Sequence, residues 1–236
     1  MIKIESISKS FEGNKVLDNL TLELPGGKMT CLLGASGAGK TTLIRIILGA
    51  LEPDCGRVEI EGTEIPNLEI LGRIGFMPQE DALYDNLTAR ENLRFYAGLH
   101  HITGETFSSR SGALLSMVGL TADADKLVAK FSGGMRKRLS LAVMALGDPQ
   151  IMILDEPTVG IDPVLRQSIW QQFRSWCSEG KTLIISTHVM DEVDRCDYAV
   201  LLQSGKVRAY DSVPALLAKT QSGKMEELFL KKEERV

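Results

Sequence analysis

The apolar residues of the chain follow two patterns that predict two kinds of β-strand. Residues 20–24 and 58–61 alternate apolar with polar side chains, which is typical of strands with one face in water. Residues 29–33, 151–154 and 182–185 are nearly continuous apolar runs. Such runs are typical of strands covered on both faces, so these three segments are predicted to belong to a parallel sheet.

Helical stretches lie between the buried strands. They are predicted at residues 41–48, 139–146 and 163–177. Because strand and helix alternate along the chain, the predicted fold class is α/β. Residues 198–203 and 206–210, joined by a serine-glycine turn, are predicted to form a closing hairpin.

Residues 79–147 have a different character, with several helix signals and no clear strand pattern. Thr88 and Glu91 have the spacing of a capping box, in which each side chain accepts a hydrogen bond from the other residue's backbone N–H. We therefore predict an α-helical subdomain inserted into the core. Its polar stretch, residues 103–112, is predicted to be a surface connection.

The predicted organisation is one domain of 236 residues. Its parts are a core of residues 1–78 and 148–210, a helical subdomain of about residues 79–147, and a C-terminal tail of residues 211–236. The last part of the tail, residues 225–236, fits either a short amphipathic helix or a solvated charged segment.

Composition and the apolar pattern limit the partners that we expect the protein to bind and the compartment in which we expect to find it. A net charge of −4 argues against binding of nucleic acid over the whole surface. The four cysteines lie far apart and lack zinc-ligand spacing. The chain has neither a secretory h-region at its start nor an uninterrupted apolar run of about 18 residues, so we expect a cytoplasmic protein with reduced thiols.

A phosphate-binding loop is predicted at residues 34–41, whose sequence is GASGAGKT. Glycines allow the backbone to wrap around an anion, and amide N–H groups at a helix start point toward it. In this motif Lys40 reaches the β and γ phosphates, and the Thr41 hydroxyl can bind Mg²⁺. The alternative, an ordinary glycine-rich turn, does not account for the strand before the loop and the apolar helix after it.

Two carboxylates follow the buried strand at residues 151–154. Asp155 is in the place of the aspartate that holds Mg²⁺ in P-loop NTPases, and Glu156 can orient or deprotonate the attacking water. A strand end with two solvated acids is the alternative. The presence of the phosphate loop favours the functional interpretation.

Residues 131–139, with the sequence FSGGMRKRL, resemble the signature loop of the ATPase subunits of ABC transporters. Ser132 can cap a helix there, and Gly133 and Gly134 leave the amides of its first turn open to an anion. In that family the loop completes the γ-phosphate site of an opposite subunit. The resemblance thus implies an ATP-dependent head-to-tail homodimer with a P-loop NTPase (RecA-like) core, an N-terminal antiparallel β subdomain and an α-helical insert.

Other positions match the family one by one. Gln79 resembles the Q-loop glutamine that contacts Mg²⁺ and water, and His188 resembles the switch histidine at the γ-phosphate. Residues 158–162 resemble the D-loop, although Asp162 can also serve simply as a helix cap. Phe11 stands where the family has an aromatic residue stacked on adenine, with Val16 as its apolar neighbour. Gln79 in a surface turn, a structural His188 and a core Phe11 are the alternatives.

The resemblance implies three groups of site residues. The catalytic group is Glu156, His188, Lys40 and Gln79. The ATP-binding group is Phe11, Val16, Gly34, Ala35, Ser36, Gly37, Ala38, Gly39, Lys40, Thr41, Thr42, Ser132, Gly133 and Gly134. The Mg²⁺-binding group is Thr41, Gln79 and Asp155.

The implied function is ATP hydrolysis that energises transport through a separate integral-membrane permease subunit, which is expected to dock around residues 79–93. The protein would then lie on the inner face of the cell membrane. Met135 and Phe131 depart from the common Leu-Ser-Gly-Gly-Gln signature. Together with residues 158–163 and the tail, this variant is similar to the ABC-2 type export branch. A soluble ABC-type ATPase acting on ribosomes or DNA is the alternative, but such proteins carry paired ATPase halves or a long coiled coil.

Overall fold

The computed structural model describes residues 1–230, which fold into two compact units. The first unit comprises residues 1–73 and the chain from residue 182 onward, and the second comprises residues 74–181. The predicted boundaries of the core and the helical subdomain stay a prediction. None of the helices within residues 1–230 is both long and apolar enough to cross a membrane.

Helices lie between the buried strands, as predicted. The strands are β1 Ile2–Phe11, β2 Asn14–Leu24, β3 Met29–Leu33, β4 Cys55–Ile60, β5 Thr63–Glu64, β6 Ile74–Met77, β7 Ile151–Asp155, β8 Thr182–Thr187, β9 Tyr198–Gln203 and β10 Lys206–Ser212. The α-helices are α1 Lys40–Ile47, α2 Leu68–Leu71, α3 Ala89–Leu99, α4 Gly104–Met117, α5 Gly133–Ala145, α6 Pro163–Ser178, α7 Val213–Leu217 and α8 Glu226–Leu230.

The first unit contains two groups of strands. An antiparallel sheet has the order β2-β1-β4-β5, as predicted for the N-terminal β subdomain. The hairpin between β1 and β2 turns at Glu12 and Gly13, whose positive φ values match the twist of the strands. The other group has the order β10-β9-β3-β8, in which β3 is parallel to both neighbours. All residues of β3 and β8 are buried, which explains the nearly continuous apolar runs in their sequences.

The second unit contains the parallel strand pair β6 and β7 and four of the longer helices, α3 to α6. The three helix caps predicted in this unit are confirmed, although α5 begins six residues before the predicted stretch at residues 139–146. Thr88 and Glu91 form the capping box of α3, the Ser132 hydroxyl caps α5, and the Asp162 carboxylate caps α6 ahead of Pro163.

The prediction of a surface connection at residues 103–112 is wrong, because helix α4 begins at Gly104. The serines and glycines of this stretch have low intrinsic helix propensity. Phe107, Ser111 and Leu115 recur every fourth residue and are buried, so packing of one helix face overrides the local preference. In the C-terminal tail, α8 spans Glu226–Leu230, and the predicted continuation over residues 231–236 lies outside the described residues.

Helix α6 gives a direct test of the core of the second unit. Phe173 is fully buried between Trp170 and Trp176, with ring centroids 5.5 and 5.9 Å away. We expect Phe173→Ala to lower the free energy of unfolding by about 3–5 kcal/mol, because the cavity cannot close completely. Val164→Ala on the same helix is the matched control, since Val164 is 82% exposed and should change stability by less than about 0.5 kcal/mol. Guanidinium denaturation measures both, and similar midpoints would contradict the packing described here.

Candidate functional site

The loop between β3 and α1 is shaped by glycines at positions that other residues cannot occupy. Gly37 and Gly39 have φ values of +79° and +103°, in the left-handed region. A Cβ atom on Gly34 would lie 2.6 Å from the carbonyl oxygen of Leu202. The backbone therefore turns tightly at the carboxyl end of β3, and residues 35–37 at its tip are exposed.

Lys40 holds this loop together from the first turn of α1. Its ammonium donates hydrogen bonds to the carbonyl oxygens of Gly34 and Ala35, at 2.7 and 3.0 Å. The side chain is only 6% exposed, although its group carries a charge. A fixed cation at a helix N-terminus, beside bare backbone, fits a phosphate group and would bind it more tightly than a solvated lysine. Thr41 and Thr42 follow, half-buried.

The β1–β2 hairpin lies against the same loop. A Cβ atom on Gly39 would come within 2.7 Å of the Leu17 side chain and 3.0 Å of the Val16 carbonyl oxygen. Phe11 lies near the tip of this hairpin and is 44% exposed, so it is not the core residue of the alternative interpretation. The ammonium of Lys9 lies 5.7 Å from its ring centroid. The hairpin thus presents a flat apolar ring on the unit that carries the phosphate loop.

The register of β3 and β8 brings His188 to the same sheet edge. Leu33 pairs with Thr187, so Gly34 and His188 each follow directly after neighbouring strand ends. The Thr187 hydroxyl donates to the buried Glu192 carboxylate at 2.6 Å and accepts from Val189 N–H at 3.0 Å. These bonds fix the turn, which leaves the His188 side chain exposed at the edge. Ligands of α/β sheets bind at this edge, beyond the carboxyl ends of the strands.

In the second unit, β6 and β7 bring Gln79 next to Glu156. Met77 pairs with Leu154, so the residues that follow these strands share one edge. The Gln79 amide donates to a Glu156 carboxylate oxygen at 3.5 Å, a long contact. Asp155 ends β7 and is 1% exposed. Glu156 has a φ of +52°, an uncommon conformation for a non-glycine residue that turns its carboxylate away from the strand direction.

Lys137 is a site residue that sequence reasoning missed. Its ammonium donates to the Gln79 carbonyl oxygen at 3.2 Å. Burial lowers the pKa of this ammonium from its usual value, and the carboxylates of Glu156 and Asp155 partly offset the shift. The run of basic residues after the signature glycines was the available signal, but it gave no indication of which group each cation faces.

The signature segment combines a helix cap with a close backbone contact. The Ser132 hydroxyl accepts a hydrogen bond from Met135 N–H at 3.3 Å, so α5 starts with Gly133. A Cβ atom on Gly134 would lie 2.8 Å from the Gly160 carbonyl oxygen, which explains the glycine there. Ser132 and Gly133 are exposed, and the first turn of α5 has an open N-terminus.

Within each unit, the structure brings together the predicted residues that belong to it. The first unit gathers the phosphate loop, Val16 and His188 around one loop and one sheet edge. The second gathers Gln79, Asp155 and Glu156, and separately joins the signature glycines to the loop that carries Gly160. Their assignment to catalysis and ligand binding stays a prediction.

The fold and the phosphate loop together define a P-loop NTPase. Residues 17–159, more than half of the chain, match the family model described as ABC transporter. The chain therefore belongs to the ABC transporter family, as an ATP-binding domain. The resemblance found in the sequence and the predicted fold class are thus confirmed.

Two relatives are similar to the chain over most of its length. It is 40% identical over 232 residues to ABC transporter G family member 20 of Dictyostelium discoideum, covering 98% of this chain and 32% of that protein. It is 39% identical over 208 residues to Nod factor export ATP-binding protein I of Sinorhizobium fredii, covering 87% of this chain and 61% of that protein. The chain therefore spans about a third of the first relative and less than two thirds of the second.

A solved structure shares the fold over most of the chain. It is a dimeric, post-hydrolysis state of an ATP-binding cassette bound to ADP and Pi, with a TM-score of 0.82 and 26% sequence identity. The match covers 90% of this chain and 98% of that one.

Proposed function

We propose that this chain binds ATP with Mg²⁺ and hydrolyses it to drive export through a separate membrane-spanning partner. The observation that carries this proposal is the loop at residues 34–41, where a buried Lys40 ammonium lies across a tight backbone turn in which Gly34 and Gly39 leave no room for a Cβ atom. The match to the ABC transporter family and the likeness to a cassette bound to ADP and Pi support it.

Mg²⁺ fits the donors that the chain offers. The Thr41 hydroxyl, the Gln79 amide and the Asp155 carboxylate all provide oxygen ligands, which this hard cation prefers over nitrogen or sulfur. When bound, the ion would neutralise charge on the phosphate oxygens during transfer.

The roles of the protein groups follow from their chemistry. Glu156 accepts a proton from the attacking water, and the Gln79 amide orients the Glu156 carboxylate by donating to it. Lys40 donates to phosphate oxygens and balances the charge that develops on them. His188 contacts the γ-phosphate from the strand end beside the loop. Catalysis by these groups depends on positioning and electrostatic stabilisation.

The proposed active form is a homodimer, which the dimeric state of the similar cassette supports. We propose a head-to-tail arrangement because the exposed Ser132 and Gly133 form a second anion-binding helix start within one chain. Each chain would offer this helix start to the nucleotide held by the other. ATP would close the dimer, and hydrolysis would reopen it.

A cluster of exposed apolar side chains in the second unit is the proposed docking surface for the permease. Tyr84, Phe95 and Leu99 are 43%, 44% and 64% exposed, and the Tyr84 and Phe95 rings pack edge to face at 4.7 Å. Exposed patches of this kind mark interaction sites. Docking there would hold the protein on the cytoplasmic face of the membrane, and we expect no nucleic-acid partner.

The test is to express the chain with a candidate permease, a neighbouring reading frame whose product has about six apolar spans, and to measure ATP hydrolysis with Mg²⁺ and with a chelator. We expect the two proteins to co-purify and hydrolysis to require Mg²⁺. Sedimentation of the chain with ribosomes or DNA instead of membranes would favour the soluble alternative. A pure chain and complex that both fail to hydrolyse ATP would contradict the proposal.

The role of Phe11 can be tested by equilibrium binding of ATP. Base–aromatic stacking contributes roughly 1–3 kcal/mol, so Phe11→Ala should weaken ATP binding about tenfold. Phe11→Tyr should bind nearly as well, because any flat ring can stack. Phe95→Ala is the control, since Phe95 is equally exposed but lies in the other unit. Equal affinities for all four proteins would contradict stacking on Phe11.

A further inference from the structure

The segment from Gln79 to Thr88, here the 79–88 segment, is bonded to the chain on both sides of residues 131–135. These five residues begin the 131–139 match and are here called the signature loop. On the N-terminal side, Ala129 N–H donates to the Asp85 carbonyl and Val128 N–H to the Leu87 carbonyl, both at 3.0 Å. On the C-terminal side, the bonds come from the side chains of α5 that directly follow the loop. The signature loop is thus bracketed by two attachments to the same short segment.

Arg136 makes the strongest of these attachments. Its guanidinium donates to both carboxylate oxygens of Asp81, at 2.8 and 2.7 Å, and also to the Asp85 carboxylate. This paired geometry gives charge-assisted bonds with a defined direction. The Arg136 and Asp81 side chains are only 25% and 20% exposed, so water screens the pair less than it screens a surface ion pair.

The 79–88 segment is also held by a bond within it and by bonds to α3, so a displacement of one part of the segment moves the rest. An Asp81 carboxylate oxygen accepts from Leu83 N–H at 3.2 Å. The Asn92 side chain, fully buried on α3, accepts from Tyr84 N–H at 2.9 Å and donates to the Tyr84 carbonyl at 3.1 Å. The exposed ring of Tyr84 therefore projects from backbone that is fixed at several points.

We propose that Arg136 and Lys137 are positioning residues that make the 79–88 segment and the signature loop move as one body. Lys137 holds the backbone of Gln79, whose side chain contacts Glu156, and Arg136 holds Asp81 and Asp85. A displacement at Tyr84 then reaches Gln79 and Ser132 together. The role of this coupling in transport rests on the proposed function, whereas the coupling between the two segments does not.

Hydrogen exchange of the chain without nucleotide tests the coupling by itself. Bonds to charged groups are stronger than neutral ones, so Arg136→Met should speed amide exchange in residues 131–135 and 80–87 about tenfold or more. Arg136→Lys, which keeps the charge but loses the paired geometry, should fall between Met and the parent. Arg110→Met is the control, because Arg110 bonds only the Leu146 carbonyl among the contacts described for it. Exchange at the parental rate in Arg136→Met would overturn the inference.

A double-mutant cycle then tests the coupling in the dimer. In a Glu156→Gln background, Arg136→Met and Asp81→Asn should each weaken ATP-driven dimerisation about tenfold and leave the ATP affinity of the monomer unchanged, since the phosphate loop lies in the other unit. The double variant should be no weaker than either single one. Additive losses would overturn the inference, and so would unchanged dimerisation in Lys137→Gln together with Arg136→Met. If Glu156→Gln itself does not dimerise, the proposed function fails, and the exchange rates still decide the coupling.

Discussion

Glu156→Gln is expected to accumulate as an ATP-bound dimer of about twice the 25.9 kDa of one chain. Glutamine keeps the shape of the side chain and its hydrogen bonding but cannot accept a proton from water. Turnover should fall by at least about a hundredfold, which is the lower end of what general acid–base catalysis contributes. Because hydrolysis is the step that removes the shared γ-phosphate, ATP should hold the two chains together. Light scattering with ATP and Mg²⁺ measures the mass.

Two further variants make this result specific. Adding Ser132→Arg places a bulky side chain at the exposed start of α5 and should return Glu156→Gln to a monomer. Glu105→Gln, an exposed carboxylate on α4, should behave like the parent chain. A Glu156→Gln protein that stays monomeric at saturating ATP, alone and with its membrane partner, would rule out the ATP-bound dimer.

Lys40→Met is expected to bind ATP much more weakly and to lose turnover. The ammonium is fixed by two carbonyl groups of the loop, so it needs little reorganisation to meet phosphate oxygens. Hydrogen bonds to charged groups contribute about 1.5–3 kcal/mol each, so removing this cation should weaken ATP binding by on the order of a hundredfold. Titration calorimetry with ATP and Mg²⁺ gives the affinity.

The control for this variant is Lys28→Met, which removes an exposed lysine from the same unit. Its affinity and turnover should match those of the parent chain. Circular dichroism and thermal melting show whether the Lys40→Met protein is still folded, so that an effect of the missing cation can be distinguished from unfolding. Hydrolysis at the parental rate in a folded Lys40→Met protein would refute the assignment of residues 34–41 as the phosphate site.

Most of the fold could be predicted from the sequence because the burial of a strand directly determines its pattern of apolar and polar residues. β3, β7 and β8 are buried along their whole length, and most of their residues are apolar. Helix caps such as Asp162 and Ser132 were predictable because the cap side chain and the backbone N–H that donates to it lie three residues apart. Helix α4 was missed because its few apolar positions become a helix face only when the rest of the unit packs on them.

The candidate site also has one part that could be predicted from the sequence and one part that could not. The residues of the phosphate loop are contiguous, and their chemistry can be read from one short motif. The attachment of Arg136 joins residues that are 51 and 55 positions apart. No local spacing relates such pairs, and charge alone matches Arg136 with any exposed acid. Sequence therefore indicates which groups react with a phosphate, but not which groups hold them in position.

The phosphate loop depends on residues that have little or no side chain. Gly34 faces the Leu202 carbonyl with no room for a methyl group, and Ala35 and Ala38 are already alanines. Alanine scanning measures the effect of removing side-chain atoms. It cannot test Ala35 and Ala38, which are already alanine, and at Gly34 it adds a methyl group instead of removing atoms. Scanning these positions with larger residues instead measures how much free volume the loop requires.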